Sequence, residues 1–201
     1  MARLFDRPVQ FLKSVVNVEN LPNTPILEIA FLGRSNVGKS TLINGLVRDG
    51  TLCKTSNTPG RTQMLNFFEV KDLVFLVDMP GYGYAKAPKT LVRQWQGLIP
   101  EYLLGRSQLK RLYLLIDSRH GIKEIDTTYM DFLDSAAVSY QVILTKADKI
   151  SAAEQEAVLA DTSERLKTHG AAYPEVLLTS SQKGDGLRPL RSAMRDLVFQ
   201  D

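Results

Sequence analysis

Cysteine, histidine, long apolar runs and net charge are all scarce in this sequence, and each scarcity narrows the field. Cys53 is the single cysteine, so the chain cannot close a disulfide on itself; it reads as an inert thiol and suits a reducing compartment. His120 and His169 are the only histidines. One follows a strand end and the other a helix end, and neither has the spacing of a metal-ligand set. No apolar run approaches the roughly 18–20 residues of a membrane span. Arg3, Asp6, Arg7 and Lys13 interrupt the apolar residues of the first twenty positions, so this start does not read as a signal peptide. The net charge is only +3, which permits a nucleic-acid or ribonucleoprotein partner without demanding one. No internal repeat or low-complexity tract stands out. The expectation is a cytoplasmic protein with no membrane contact, monomeric, whose 201 residues and 44% apolar content fit one domain with one large core.

What is present is alternation. Apolar runs of strand length lie at Ile26–Leu32, Leu73–Val77, Leu112–Ile116, Gln141–Leu144 and Val176–Leu178. Asn66–Val70 is a sixth, joined to Leu73 by a link short enough for a hairpin. Segments with helical spacing lie at Lys39–Arg48, Leu91–Leu104, a stripe from Ile125 through Tyr129, Phe132 and Leu133 to Ala136, Ala152–Lys167 and Leu187–Phe199. This order predicts an α/β fold: a mostly parallel six-stranded sheet with one antiparallel edge strand and helices on both faces. Residues 1–24 show no clear period and are expected to be an extension packed on a single domain of residues 25–201. Ligands of such sheets bind beyond the carboxyl ends of the strands.

The motifs fall there. Gly33-Arg34-Ser35-Asn36-Val37-Gly38-Lys39-Ser40, followed by Thr41, matches GxxxxGK[ST] between a strand and a helix. Glycines let backbone N–H groups converge on a phosphate at a helix N-terminus. Lys39 adds a charge for the β- and γ-phosphates, and the Ser40 hydroxyl is a Mg²⁺ ligand. Asp78-Met79-Pro80-Gly81 ends the hairpin's second strand. Asp78 would hold Mg²⁺ through a water, and Gly81, lacking a Cβ, can bring its N–H to a γ-phosphate. The polar stretch Ser56–Gln63 reads as a mobile loop in which either Thr58 or Thr62 could close over Mg²⁺. Thr145-Lys146-Ala147-Asp148 follows a strand and resembles the Asn-Lys-x-Asp element of GTPases. A carboxylate at Asp148 can accept from guanine N1–H and the 2-amino group, a donor pair that adenine lacks. The Lys146 stem can lie along the base. Thr145 removes the usual amide, which is expected to forgo its brace on the phosphate loop. Thr179-Ser180-Ser181 can offer N–H groups to guanine O6.

Together these elements resemble a P-loop NTPase of Ras-like, three-layer fold and TRAFAC class. In detail they resemble the EngB (YihA/YsxC-type) family of bacterial ribosome-assembly GTPases. The resemblance rests on GRSNVGKS at Gly33–Ser40, TPGRTQ at Thr58–Gln63 with Asn66-Phe67-Phe68 after it, DMPGYGYA at Asp78–Ala85, and TKAD at Thr145–Asp148. It covers nearly the whole chain. It implies a GTP/GDP switch with Mg²⁺, a role in large-subunit maturation with the ribosomal subunit or its rRNA as partner, and a requirement in cell division and septation. It selects Thr62 over Thr58 as the second Mg²⁺ ligand and adds the backbone of Gly60, Arg61, Thr62, Gln63 and Met64 to the nucleotide contacts. Thr145 is the family's own variant. Lys39, Thr62 and Gly81 then make the catalytic set.

Ras-like enzymes orient the attacking water with a glutamine where this chain has Tyr82, so slow intrinsic turnover is expected, accelerated by a partner or a cation. K⁺ held in part by Asn36 is the candidate cation; the alternative is that Asn36 only braces its loop. Lys86, Lys89 and Arg93 beside the second switch, and Arg188, Arg191 and Arg195 on the last helix, are candidate rRNA faces, against the blander reading of solvated helix surfaces. Trp95 reads as packing. A nucleotide-binding scaffold without turnover and a P-loop small-molecule kinase are the competing functions. The kinase would need an acceptor pocket and an arginine-bearing lid that the sequence does not display.

Overall fold

Apolar runs too short for helices become the strands, and segments with a 3.6-residue apolar period become the helices that cover them. The structure is a computed structural model and describes residues 4–53, 64–83 and 97–199. Its elements are β1 (Val9–Val15), β2 (Leu27–Gly33), α1 (Lys39–Val47), β3 (Leu65–Val70), β4 (Val74–Asp78), α2 (Leu98–Gly105), β5 (Leu109–Asp117), α3 (Glu124–Ser135), β6 (Tyr140–Thr145), α4 (Ala152–Leu166), β7 (Leu177–Leu178) and α5 (Leu187–Phe199). One sheet runs β1-β3-β4-β2-β5-β6-β7. β2 lies parallel to β4 and β5, and the parallel set continues through β6 to β7. β3 is reversed, antiparallel to both β4 and β1.

The sheet among the described residues therefore has seven strands rather than the expected six, and the reversed strand lies one place in from the edge. The addition is β1, within the segment that shows no period. Only Val15 of its seven residues is buried, and Gln10, Phe11 and Leu12 are exposed in succession. A register shift between Phe11 and Lys13 breaks the alternation as well. Backbone pairing to β3 holds this strand, so the apolar pattern carries little trace of it.

Alternation along β2 sets the layers, because neighbouring side chains point to opposite faces. Ile29 and Phe31 join a cluster with Leu42, Ile43 and Leu46 of α1 and Leu190 and Met194 of α5. Ala30 and Leu32 join another with Ile99, Tyr102 and Leu103 of α2 and Met130 and Leu133 of α3. The predicted helix Leu91–Leu104 is described from Leu98, since residues 91–96 lie outside the described residues. Among the described residues no helix is long and apolar enough to cross a membrane.

One buried charge pins the end of the sheet away from the motifs. Glu28, fully buried at the start of β2, accepts from the Tyr102 hydroxyl at 2.7 Å and Arg106 Nε at 2.9 Å. Arg106 Nη2 also donates to the Pro22 carbonyl at 2.7 Å. A carboxylate is tolerated in a core only when compensated in this way, and the compensation ties α2 and the turn before β2 to one spot.

Candidate functional site

Because β2, β4, β5 and β6 are parallel, their carboxyl ends share one edge of the sheet. Gly33 ends β2 so close to β5 that a Cβ would lie 2.7 Å from the Leu115 carbonyl oxygen. Asn36 and Gly38 then adopt left-handed backbone, at φ 63° and 103°, and α1 starts at Lys39. The residue preceding α1, Gly38, supplies no side-chain cap. The first-turn N–H groups of Lys39, Ser40 and Thr41 are thus free of a side-chain cap, at the end of the helix that favours an anion.

Lys39 Nζ forms an ion pair with Asp78 Oδ1 at the end of β4, and both side chains are about nine-tenths buried. Each charge compensates the other, and the pair ties two of the expected motifs together. Met79 donates its N–H to the Phe31 carbonyl at 3.1 Å and turns its side chain into the core, so only its backbone belongs to this edge. Beyond Pro80, Gly81 packs on the phosphate loop: a Cβ there would lie 3.0 Å from Ser35 N and Cα. Tyr82 continues the contact, donating to the Gly33 carbonyl at 3.1 Å and accepting from Ser35 N–H at 2.9 Å.

On the other side of the loop, the Thr145 hydroxyl donates to the Val37 carbonyl at 2.7 Å. The expected loss of the brace is therefore corrected: a threonine at the end of β6 is close enough for its short side chain to do the amide's bracing. Lys146, itself at φ 59°, reaches back over the loop to the Asn36 carbonyl at 2.7 Å and to Asp117 Oδ2 at 2.8 Å. Asp117, at the end of β5, was not among the predicted residues. Its signal was available, an apolar strand ending in aspartate, as at Asp78. Burial pushes the Asp117 carboxyl up, but hydrogen bonds from Arg119 and Lys146 outweigh it and hold the group well below the usual carboxylate range.

Asp148 accepts from the Ser180 hydroxyl at 2.7 Å and pairs with Lys149 Nζ at 3.2 Å. The Ser180 bond, foremost, lowers its pKa, so it is a carboxylate at neutral pH. Ala147 N–H donates to the Thr179 carbonyl at 3.0 Å, and Thr179 N–H to the Leu144 carbonyl at 2.7 Å. Thr179 and Ser180, with Ser181 next in the chain, are thereby fixed beside Ala147 and Asp148. Gly186 closes this loop at φ +72°, where a Cβ would lie 2.0 Å from the Leu178 carbonyl oxygen.

Met64 directly precedes β3. Thr58, Gly60, Arg61, Thr62 and Gln63 lie outside the described residues, as do Lys86, Lys89, Arg93 and Trp95. Of the candidate arginine face on α5, Arg191 is turned inward: it donates to the Gly45 and Leu46 carbonyls at the end of α1, at 2.5 and 2.9 Å. Arg195, its side chain 37% exposed, engages Asp196 and Ser192, and Arg188 is exposed. His169 Nδ1 lies 2.6 Å from Asp134 Oδ2 and 4.0 Å from Asp131. Sequence spacing could not show that proximity, because those aspartates lie on α3; it is accounted for as a hydrogen bond closing the turn after α4 onto α3.

Comparison with known proteins fits this arrangement. Residues 28–146 match the family described as 50S ribosome-binding GTPase, and fold and site motifs alike define a P-loop GTPase. The chain is 52% identical over 195 residues to the probable GTP-binding protein EngB of Ruegeria pomeroyi, covering 97% of this chain and 90% of that one. It is 55% identical over 204 residues to that of Rhizobium johnstonii, covering 97% and 94%. The chain belongs to the EngB family of GTP-binding proteins. The crystal structure of a probable GTP-binding protein engB shares the fold at TM-score 0.67 and 24% identity, over 87% of this chain and all of that one. Translation elongation factor SelB from Methanococcus maripaludis does so at 0.61 and 17%, over 87% of this chain and 33% of that one. Membership of a GTPase family carries GTP and GDP binding, typically with Mg²⁺.

Proposed function

We propose that the edge formed by β2, β4, β5 and β6 holds one guanine nucleotide with Mg²⁺, that the protein hydrolyses GTP slowly, and that the bound state is a switch in large ribosomal subunit assembly. The observation that carries this reading is the convergence of Lys39, Asp78 and the Thr145–Asp148 segment on one phosphate loop. Lys39 leaves Asp78 for the β- and γ-phosphates, and the loop and first-turn N–H groups of α1 cradle the remainder. The donor set suits a hard cation. Ser40 follows Lys39, whose ammonium pairs with Asp78, and a hydroxyl with a carboxylate makes an oxygen donor set appropriate to Mg²⁺, with Thr62 as the further ligand. Mg²⁺ supplies charge neutralisation on the phosphate oxygens. Asp148 selects guanine, with Thr179, Ser180 and Ser181 at O6, and Lys146 covers the base.

Slow turnover follows from Tyr82. Its side chain is 4% exposed and its hydroxyl is committed to Asp126, so it does not orient a water. That same observation favours the second reading, a binding scaffold without turnover. The ribosomal role is supported by the description of the family that residues 28–146 match, with the subunit or its rRNA as partner. The requirement in cell division and septation is carried by the family resemblance alone; the cytoplasmic location and the monomeric state are the expectations from the sequence. Phosphate release from GTP and ATP, with and without large subunits and in KCl against NaCl, tests nucleotide choice, turnover, the subunit as partner and the cation together. GTP-specific release stimulated by subunits is expected. Release from neither nucleotide under any condition leaves the scaffold reading, and equal rates in the two salts remove K⁺ at Asn36.

A further inference from the structure

Tyr82 is withdrawn from the phosphate edge into a network that the nucleotide chemistry does not call for. Its hydroxyl donates to Asp126 Oδ1 at 2.7 Å, and its ring stacks on Tyr129 with centroids 4.1 Å apart. Asp126 is fully buried at the start of α3. Its Oδ2 accepts from Lys123 N–H at 2.8 Å, and its Oδ1 lies 3.3 Å from Arg34 Nε. Arg34 belongs to the phosphate loop and also donates to the Gly121 carbonyl at 3.3 Å.

A helix start needs only a serine or threonine to satisfy its N–H groups. Burying a full charge there is costly unless it is paired. Here the compensating groups come from three separate pieces: the phosphate loop, the segment after β4, and the turn before α3. Burial, then the Asp126 charge, push the Tyr82 phenol well above its ordinary pKa, so it stays a donor. Backbone bonds from Tyr82 to Gly33 and Ser35 splice the same residue into the phosphate loop. Gly81 is thereby held between Asp78 and Tyr82, with no room between its Cα and Ser35. Gly83, at φ +84°, is the first residue after this fixed stretch whose backbone takes a glycine-favoured conformation.

We propose that Tyr82, Asp126 and Arg34 form a positioning unit that sets the Gly81 N–H for the γ-phosphate and thereby fixes the preference between GTP and GDP. The inference rests on the GTP-switch reading above. Only GTP carries the phosphate that Gly81 faces, so loosening the unit weakens GTP binding and spares GDP.

The test is equilibrium titration of fluorescently labelled GDP and a labelled non-hydrolysable GTP analogue. Tyr82→Phe keeps the ring and its stacking and removes the donor. It is expected to weaken the GTP analogue about tenfold or more, the lower end of the scale of one lost hydrogen bond to a charged group, with GDP changed less than about twofold. Asp126→Asn is expected to act in the same direction, and the double variant to be no weaker than the worse single, as partners in one contact require. If Asp126→Asn does not fold, Tyr82→Phe decides alone. A GDP-to-GTP ratio unchanged in Tyr82→Phe, or both nucleotides weakened equally as a merely structural role would have it, overturns the inference while leaving the GTPase reading in place. Single effects that multiply in the double variant overturn it too. A parent protein that binds neither guanine nucleotide overturns the functional reading, and the inference with it.

Discussion

Thr145→Val isolates the brace between β6 and the phosphate loop. The two side chains have nearly the same shape, so the substitution removes a hydroxyl without opening a cavity. Thr145 is 4% exposed, and its hydroxyl lies 2.7 Å from the Val37 carbonyl and 3.3 Å from that of Ile116. Water cannot easily replace a donor at this depth. A neutral buried hydrogen bond contributes about 1 kcal/mol net, and an acceptor left unpaired raises the cost to about 1–3 kcal/mol. We take roughly 1.5 kcal/mol. For a chain of this size that lowers the midpoint of thermal unfolding by about 3–6 °C. If the cost falls on holding the loop in its binding conformation, GDP affinity drops about tenfold. Thermal unfolding of the nucleotide-free protein and GDP titration read the two quantities. Thr145→Ser, which restores the hydroxyl, should recover most of both. A valine variant with unchanged midpoint and affinity would refute the brace.

Three further outcomes are expected. Asp148→Asn should lose about 100-fold or more in GTP affinity and regain much of it with xanthosine triphosphate, whose 2-oxo group accepts from an amide; competition against labelled GDP measures both, and retained guanine preference would remove Asp148 as the selector. Glu28→Ala should destabilise the fold by about 3–5 kcal/mol, because it leaves Arg106 unpaired beside the core; an unchanged urea midpoint would contradict this. Asp117 titrates lower in the folded than in the unfolded chain, so its contribution is present above about pH 4 and is lost as pH falls toward the folded value. The lead of the parent protein over Asp117→Asn in thermal midpoint should thus shrink below about pH 4, and a gap constant from pH 7 to 3 would show that Asp117 does not titrate in this way.

Much of this was legible in the residues. Strands β2 to β7 and helices α1, α3, α4 and α5 lie within a few residues of their apolar runs, since each packs apolar side chains on the core and leaves a run or a period behind. β1 did not, because its contribution is backbone pairing with one buried side chain. Phosphate-loop and Asp148 motifs were readable because each carries its chemistry in adjacent residues. Asp117 left a readable signal at its strand end, but its Lys146 partner did not show, and neither did Asp126 and the Tyr82 contact, because those partners are far apart in the chain. Lys146 meets Asp117 across two strands, and the Tyr82 hydroxyl meets an aspartate 44 positions on. The helical period on α5 suggested an arginine face, but periodicity cannot tell a solvated arginine from one, like Arg191, that caps a neighbouring helix.

Competition of unlabelled GTP and ATP against labelled GDP on the purified protein tests the account most directly. Displacement by GTP at concentrations at least about 100-fold lower than ATP is the result expected of a site whose buried acceptor goes unpaired with adenine. Displacement by the two at equal concentrations would contradict it.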